Sequence, residues 1–343
     1  MSPAPSTNSR SVRRRRSAAS ASPPAKRGRN PVIALLLVAW SAAALTLAAA
    51  ALLADRHYAL DLLAQFAAPA LVLAGAGSLA AAAALRPAFA AANLLALAGL
   101  LVAMQPQLRP ATPAAAPGPA VRVLFNNIWV RNPEPARLAA AVAAENADVV
   151  ALVEVGPRHL RALEPVLRRY PHRIVSVAGR FRGRDPRILI ASRFPLTLRA
   201  SERRDGLAVT EVDVAAPGLP FRLVASHLTR PWPFDRPQAQ HRQAERLARR
   251  ILAGEPRRTL LVGDFNAVPA GAVLRRFAGR TGLTPAPAPL GTWPAAVPAP
   301  LRIGIDNAFA GPELAVVDRR VAADTGSDHR PVLLTLRPAL SPR

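Results

Sequence analysis

The sequence predicts an α/β domain of layered, mixed β-sheets, preceded by an all-α segment of about three membrane-spanning helices. Two observations lead there. Residues 32–105 are almost free of charge and rich in Ala and Leu, whereas beyond residue 120 short apolar runs are interspersed with Arg, Asp and Glu. In that second part, strand-like runs alternate with helical stretches, and some strands follow one another with no helix between. Strand pairs mixed with strand–helix units argue for a mixed sheet rather than a strictly parallel one. Roughly 220 residues remain for this globular part, enough for a full hydrophobic core.

The N-terminal elements come first. Residues 1–31 are Ser-, Pro-, Arg- and Ala-rich and carry eight Lys and Arg with no acid, so they read as a disordered basic tail. Val32–Ala54 is an uncharged run long enough for a helix to cross the ~30 Å hydrocarbon layer. Phe66–Leu85 and Ala88–Met104 are two further runs. The connections hold Asp55, Arg56, His57 and Asp61, then Arg86-Pro87. The basic tail should stay cytoplasmic. Three crossings then place the rest of the chain outside, as a multi-pass protein of the cell (inner) membrane with an extracytoplasmic domain; an even number would reverse this. Residues 106–119, rich in Pro and Ala, read as a stiff linker.

Beyond the linker, strands are expected at Val121–Asn127, Asp148–Val153, Arg187–Ser192, Ala208–Val214, Phe221–His227, Thr259–Asp264, Arg302–Phe309 and Pro331–Leu336. Helices are expected at Pro135–Asn146, Pro157–Arg169 and Gln238–Ala253, the last clearly amphipathic.

Composition narrows the chemistry. With no cysteine, disulfides, thiolate zinc sites and a thiol nucleophile are excluded. The net charge of +24 is a weak pointer to nucleic acid, because Lys26 is the only lysine and heavy Arg, Ala and Pro usage is what a GC-rich genome writes. Neither a phosphate-binding G-x-x-x-x-G-K-[ST] loop nor an H-E-x-x-H zinc motif occurs.

The polar residues cluster at strand ends. The run VLFNN ends in Asn126 and Asn127, VVALVE in Glu154, LVASH in His227, and LLVGDFN in Asp264 and Asn266; IGID ends in Asp306 and TGSDH in Asp328 and His329. One such residue is usually a turn former or cap, but six ends in one domain suggest a shared rim. The inventory suits phosphoester chemistry: hard oxygen ligands for Mg²⁺ or Mn²⁺, a carboxylate to activate water, and imidazoles to meet phosphate oxygens. Trp129, Trp232, Phe234 and Trp293 are candidates to line the cleft, and the arginine-rich stretch 179–186 reads as a solvated basic loop.

In order, LFNNI, ALVEV, ASHL, VGDFNAVP, IDNAF and GSDHRPV resemble the endonuclease/exonuclease/phosphatase superfamily over about residues 120–338. The resemblance implies a four-layer α/β sandwich with two packed mixed sheets, DNase I-like, and a metal-dependent phosphoesterase using Mg²⁺ or Mn²⁺. It implies that Glu154 is the principal metal ligand with Asn127 beside it, and that Asp328 supports the metal region. His227 and His329 would contact the phosphate, Asp306 would orient His329, Asp264 would activate water and Asn266 would position it. Asn307 stands where the family usually has His. The substrates implied are a nucleic acid, as for a nuclease, or a phospholipid headgroup or inositol phosphate; a non-catalytic membrane scaffold is the remaining alternative. The bilayer is the expected partner, and no obligate protein partner is evident.

Overall fold

The computed structural model describes residues 31–110, 112–176, 186–233 and 235–340. The basic tail (1–30), most of the arginine-rich loop (179–185) and Phe234 lie outside the described residues.

The chain opens with five helices: α1 (Pro31–Leu52), α2 (Tyr58–Ala64), α3 (Ala67–Ala83), α4 (Pro87–Ala103) and the single turn α5 (Gln105–Leu108). The strands and helices that follow are β1 (Val121–Asn127), α6 (Pro135–Glu145), β2 (Val149–Val155), α7 (Pro157–Leu167), β3 (His172–Val175), β4 (Arg187–Ser192), β5 (Leu196–Arg204), β6 (Leu207–Val214), β7 (Phe221–His227), α8 (Pro237–Ala253), β8 (Thr259–Asp264), α9 (Ala272–Thr281), β9 (Thr284–Pro285), β10 (Asp306–Ala310), β11 (Leu314–Val321) and β12 (Val332–Pro338).

Two six-stranded mixed sheets form, ordered β11-β12-β1-β2-β4-β3 and β5-β6-β7-β8-β10-β9. Their inner faces meet in a core that includes Val123, Phe125, Ala151, Val153 and Ile190 from the first sheet and Val212, Leu223, Ala225, Leu260 and Val262 from the second. The other face of the first sheet is covered by α6 and α7 through Leu138, Val142, Leu163 and Leu167. The other face of the second is covered by α8 and α9 through Leu247, Ile251, Val273 and Phe277. That makes four layers. Strands β2 and β8 read as unbroken apolar runs because both of their faces are covered.

The helical segment is built in reverse. Its interior is made of small residues, including Ala44, Ala48, Ala51, Ala74 and Ala96, while Leu35, Leu36, Leu79, Leu95 and Val102 are exposed. Asn93 Nδ2 donates to Ser41 Oγ at 2.8 Å across this interior. Helix α1 is long and apolar enough to cross a membrane, and α2 with α3 forms a pair bent by 64°. The first connection, expected to be a plain turn, contains α2, which docks on the α/β domain. The expected linker is likewise packed: Gln107 and Ala288 exchange hydrogen bonds, and Ala116 N donates to Pro338 O. The expected strand Arg302–Phe309 begins only at Asp306, because Ile303 is drawn into an isolated bridge with Trp293.

Candidate active site

Neighbouring strands deliver the polar residues to one rim. In the register of the second sheet, His227 of β7, Asp264 of β8 and Asp306 of β10 stand side by side. The first sheet contributes Asn127 at the end of β1 and Glu154 near the end of β2. Asp328 and His329 arrive on the segment that leads into β12.

Glu154 is aimed by a local irregularity. Its φ of 61° lies in the left-handed region, where the β2–β4 register slips between Leu152 and Val155. Such a bulge re-aims one side chain at a cost of roughly 1–2 kcal/mol. Trp129 (φ 54°) and Asn266 (φ 47°) carry the same strain, so three residues of one rim adopt a conformation that non-glycine residues usually avoid.

Asn127 links the two sheets: its Nδ2 donates to Glu154 Oε1 at 3.1 Å and to Asp264 Oδ2 at 2.9 Å. The Val130 amide donates to Glu154 Oε2 at 3.0 Å. His227 Nε2 lies 3.7 Å from Glu154 Oε1 and 3.5 Å from Asp264 Oδ2. Burial pushes the Glu154 carboxyl up, but His227, the Val130 amide and Asn127 outweigh it and hold Glu154 below its ordinary value. Asp264, at 1% exposure, is raised by burial and by Asp306, against the pull of His329 and His227.

His329 Nδ1 donates to Asp306 Oδ2 at 2.8 Å, and its Nε2 lies 3.8 Å from Asp264 Oδ2 and 3.9 Å from Asp328 Oδ1. Burial opposes its charge, yet Asp306 and Asp264 prevail and raise His329 to about 10, so it stands as an imidazolium at neutral pH. Asp264, Asp306 and His329 can bring one ligand atom each to within 4.8 Å of one another, the one such metal-capable group among the described residues. Within this trio His329 and Asp306 are already bound to each other at 2.8 Å, so it reads as an internal ion pair. The donors that fit a hard divalent cation are instead the ionised Glu154 carboxylate, Asn127, and Asp328, whose buried Oδ1 has no hydrogen-bond partner among the described residues.

Asn127, Glu154, His227, Asp264, Asn266, Asp328 and His329 all line one cleft of about 430 Å³, together with Trp129, Arg131, Arg203 and Arg230. Asp306 is the exception: fully buried, it lies behind His329. Asn126, the neighbouring amide, turns away and accepts from Thr325 Oγ1. Asn307 donates to the carbonyls of Ala267 and Gly304, a structural task.

Nothing in the local sequence marks Thr292, whose Oγ1 donates to Asp306 Oδ2 at 2.5 Å, or Arg319, which is half-buried and donates to the Asp306 carbonyl at 3.0 Å. Only a tertiary partner distinguishes either from an ordinary loop threonine or strand arginine. Trp293 does not line the cleft itself. Its Nε1 donates to Asp328 Oδ2, and the Arg230 guanidinium lies 4.8 Å from its ring centre.

The sequence model of the endonuclease/exonuclease/phosphatase family matches residues 127–329. The chain belongs to that family. It is therefore a hydrolase acting on phosphoester bonds, and its two packed sheets form the DNase I-like sandwich. A search of the curated proteins finds no match. Among solved structures it is similar to an endonuclease/exonuclease/phosphatase from Beutenbergia cavernae DSM 12333, with 22% identity and a TM-score of 0.52 over 65% of this chain and 72% of that one. A family protein from Bacteroides thetaiotaomicron aligns with 17% identity and a TM-score of 0.51, over 64% and 98% of the two chains. The human Nocturnin catalytic domain with bound sulfate aligns with 17% identity and a TM-score of 0.51, over 68% and 99%. Identities this low speak for the fold alone.

Proposed function

We propose that this chain is a membrane-anchored, divalent-metal-dependent phosphoesterase that hydrolyses a phosphodiester by direct in-line attack of water. The observation that carries the reading is the convergence of Asn127, Glu154, His227, Asp264 and His329, from both sheets, on one cleft. Glu154, with Asn127 and Asp328, would hold Mg²⁺ or Mn²⁺, which when bound neutralises phosphate charge. The raised Asp264 carboxylate accepts a proton from water that Asn266 positions. The His329 imidazolium, held by Asp306, donates through Nε2 to a phosphate oxygen, and His227 meets a second. Water's oxygen bonds to phosphorus, one P–O ester bond breaks, and no enzyme-bound intermediate forms.

The anchor is read from α1, α3 and α4, whose large apolar side chains face outward over a small-residue interior, as lipid-facing helices do. The C-terminal ends of α1 and α4, at Ala51 and Met104, and the N-terminal end of α3, at Ala67, meet the α/β domain. This supports three crossings, with the basic tail cytoplasmic and the catalytic domain extracytoplasmic. A nuclease would use Arg131, Arg203 and Arg230 of the cleft to meet the phosphate backbone, and its turnover would fall steeply with added salt. The test is hydrolysis of bis-p-nitrophenyl phosphate by the full-length protein, stripped of metal and resupplied with Mg²⁺ or Mn²⁺. Turnover only with metal is expected; turnover unaffected by chelator would sink the mechanism.

A further inference from the structure

The α/β domain is clamped onto the helical segment by the end that carries the active site. Asp61 of α2 accepts from the Ala272 amide at 2.6 Å and pairs with His241 Nε2 at 3.0 Å. Asp55 pairs with Arg275 at 2.6 Å and with Arg276 at 3.2 Å. Ala51, Ala64, Ala67 and Met104 of the helices share one apolar cluster with Val268, Ala270, Ile303 and Ile305 of the domain.

Apart from Arg275 and Arg276 on α9, the domain residues of this clamp sit on chain that leaves or enters the catalytic rim. Val268 to Ala272 follow Asp264 and Asn266. Ile303 and Ile305 precede Asp306. His241 lies in the N-terminal part of α8, the helix reached from His227 through residues 228–236. Among the described residues, the apolar cluster of the clamp includes none from the opposite end of the sheets, around Gly218, Arg257 and Pro338. Trp293 joins the two regions directly: it packs against the helical cluster while its Nε1 holds Asp328 of the cleft.

The boundary between helices and domain also has the makeup of a membrane interface. Tyr58 and Phe66, at 39% and 47% exposure, mark the domain-side ends of the helices. Tyr58 makes an edge contact with His241 on the helix that follows the His227 loop. That loop presents Trp232 at 69% exposure, beside Arg230 of the cleft. Amphipathic aromatics gather at headgroup level, and arginines there attract anionic lipid. The cleft itself mixes Arg131, Arg203 and Arg230 with Val130, Pro186 and Leu228, and its volume of about 430 Å³ suits a small ligand.

Resting on the phosphoesterase reading above, we infer that the catalytic cleft is held at the bilayer surface and that its substrate is the phosphodiester headgroup of a phospholipid in the same membrane. Water's oxygen joins phosphorus and one P–O ester bond breaks. The departing oxygen takes the proton, giving an alcohol and a phosphomonoester.

The test uses full-length protein in vesicles of phosphatidylcholine with a minority of phosphatidylglycerol, supplied with Mg²⁺ or Mn²⁺. Since the chain has no cysteine, Trp232→Cys and, on the far end, Glu255→Cys each accept one spin label whose membrane depth can be read. Vesicle phospholipid, plasmid DNA and bis-p-nitrophenyl phosphate are assayed side by side. The expected result is a label at headgroup depth on residue 232 and in water on residue 255, with vesicle phospholipid cleaved at least tenfold faster than plasmid DNA. Two results overturn the inference while leaving the phosphoesterase reading intact: both labels in water, or cleavage of the chromogenic diester or DNA with the vesicle phospholipid untouched. No turnover of any substrate would overturn the phosphoesterase reading, and this inference with it.

Discussion

Replacing Asp61 with Ala tests the clamp that sets the domain on its helices. Helix α9 has Gly271 at its N-cap, with no side chain to meet its first amides, so Asp61 reaches across from α2 and accepts from Ala272 N at 2.6 Å. The same carboxylate pairs with His241, and its side chain is 11% exposed, so water replaces it poorly. A hydrogen bond to a charged acceptor contributes about 1.5–3 kcal/mol, and an anion at a helix N-terminus ~0.3–1 kcal/mol. Asp61→Ala should therefore weaken the first turn of α9 by about 3 kcal/mol. Asp61→Asn keeps an acceptor oxygen and should cost about 1 kcal/mol. Amide hydrogen exchange of full-length protein in detergent reads this locally. Protection at Ala272–Leu274 should fall about a hundredfold in Asp61→Ala and by less than about tenfold in Asp61→Asn, while Val149–Val155 stays unchanged. Equal protection in wild type and Asp61→Ala would refute the clamp.

Other outcomes follow from the site and core. Glu154→Gln should leave the fold intact yet abolish Mn²⁺ binding, followed by paramagnetic resonance, at concentrations that saturate wild type. Asp306→Asn removes the charge that most favours protonated His329, so its titration should move down from about 10, as ring NMR would show. Turnover at neutral pH should fall by ~10²–10⁴-fold. Gly263→Ala would set a Cβ 2.6 Å from the Ser226 carbonyl on the adjacent strand. The strain should cost about 2–3 kcal/mol and lower Tm by roughly 5–10 °C in a calorimetric scan.

What the sequence revealed depended on burial. Strands β1, β4, β7 and β8 end where their apolar runs end, since neighbours cover both faces. Strands β3, β5 and β11 went unread: β5 is an edge strand, LTLRASERR, with its polar residues toward solvent, and β11 bulges between Val316 and Asp318. The short helix α9 was also missed, because its first turn is completed by a residue 211 positions away. At the site, Asn127, Glu154 and Asp264 stood out because each closes an apolar run, and His329 because it follows Asp328 just ahead of the apolar run VLLTL. Thr292 and Arg319 did not, since their significance lies only in contact with Asp306. Asp61 looked like one charge in a connection between spans, and nothing local marked it as a helix cap for another part of the chain.

The central claim is metal-dependent hydrolysis in the cleft of Glu154 and His329. Its most direct test is an Mg²⁺ and Mn²⁺ titration of chelator-stripped full-length protein, following release of p-nitrophenol from bis-p-nitrophenyl phosphate, beside Glu154→Ala and His329→Ala. The account predicts saturable, metal-dependent turnover in wild type that both substitutions abolish. Turnover that persists without metal, or survives in either variant, would contradict it.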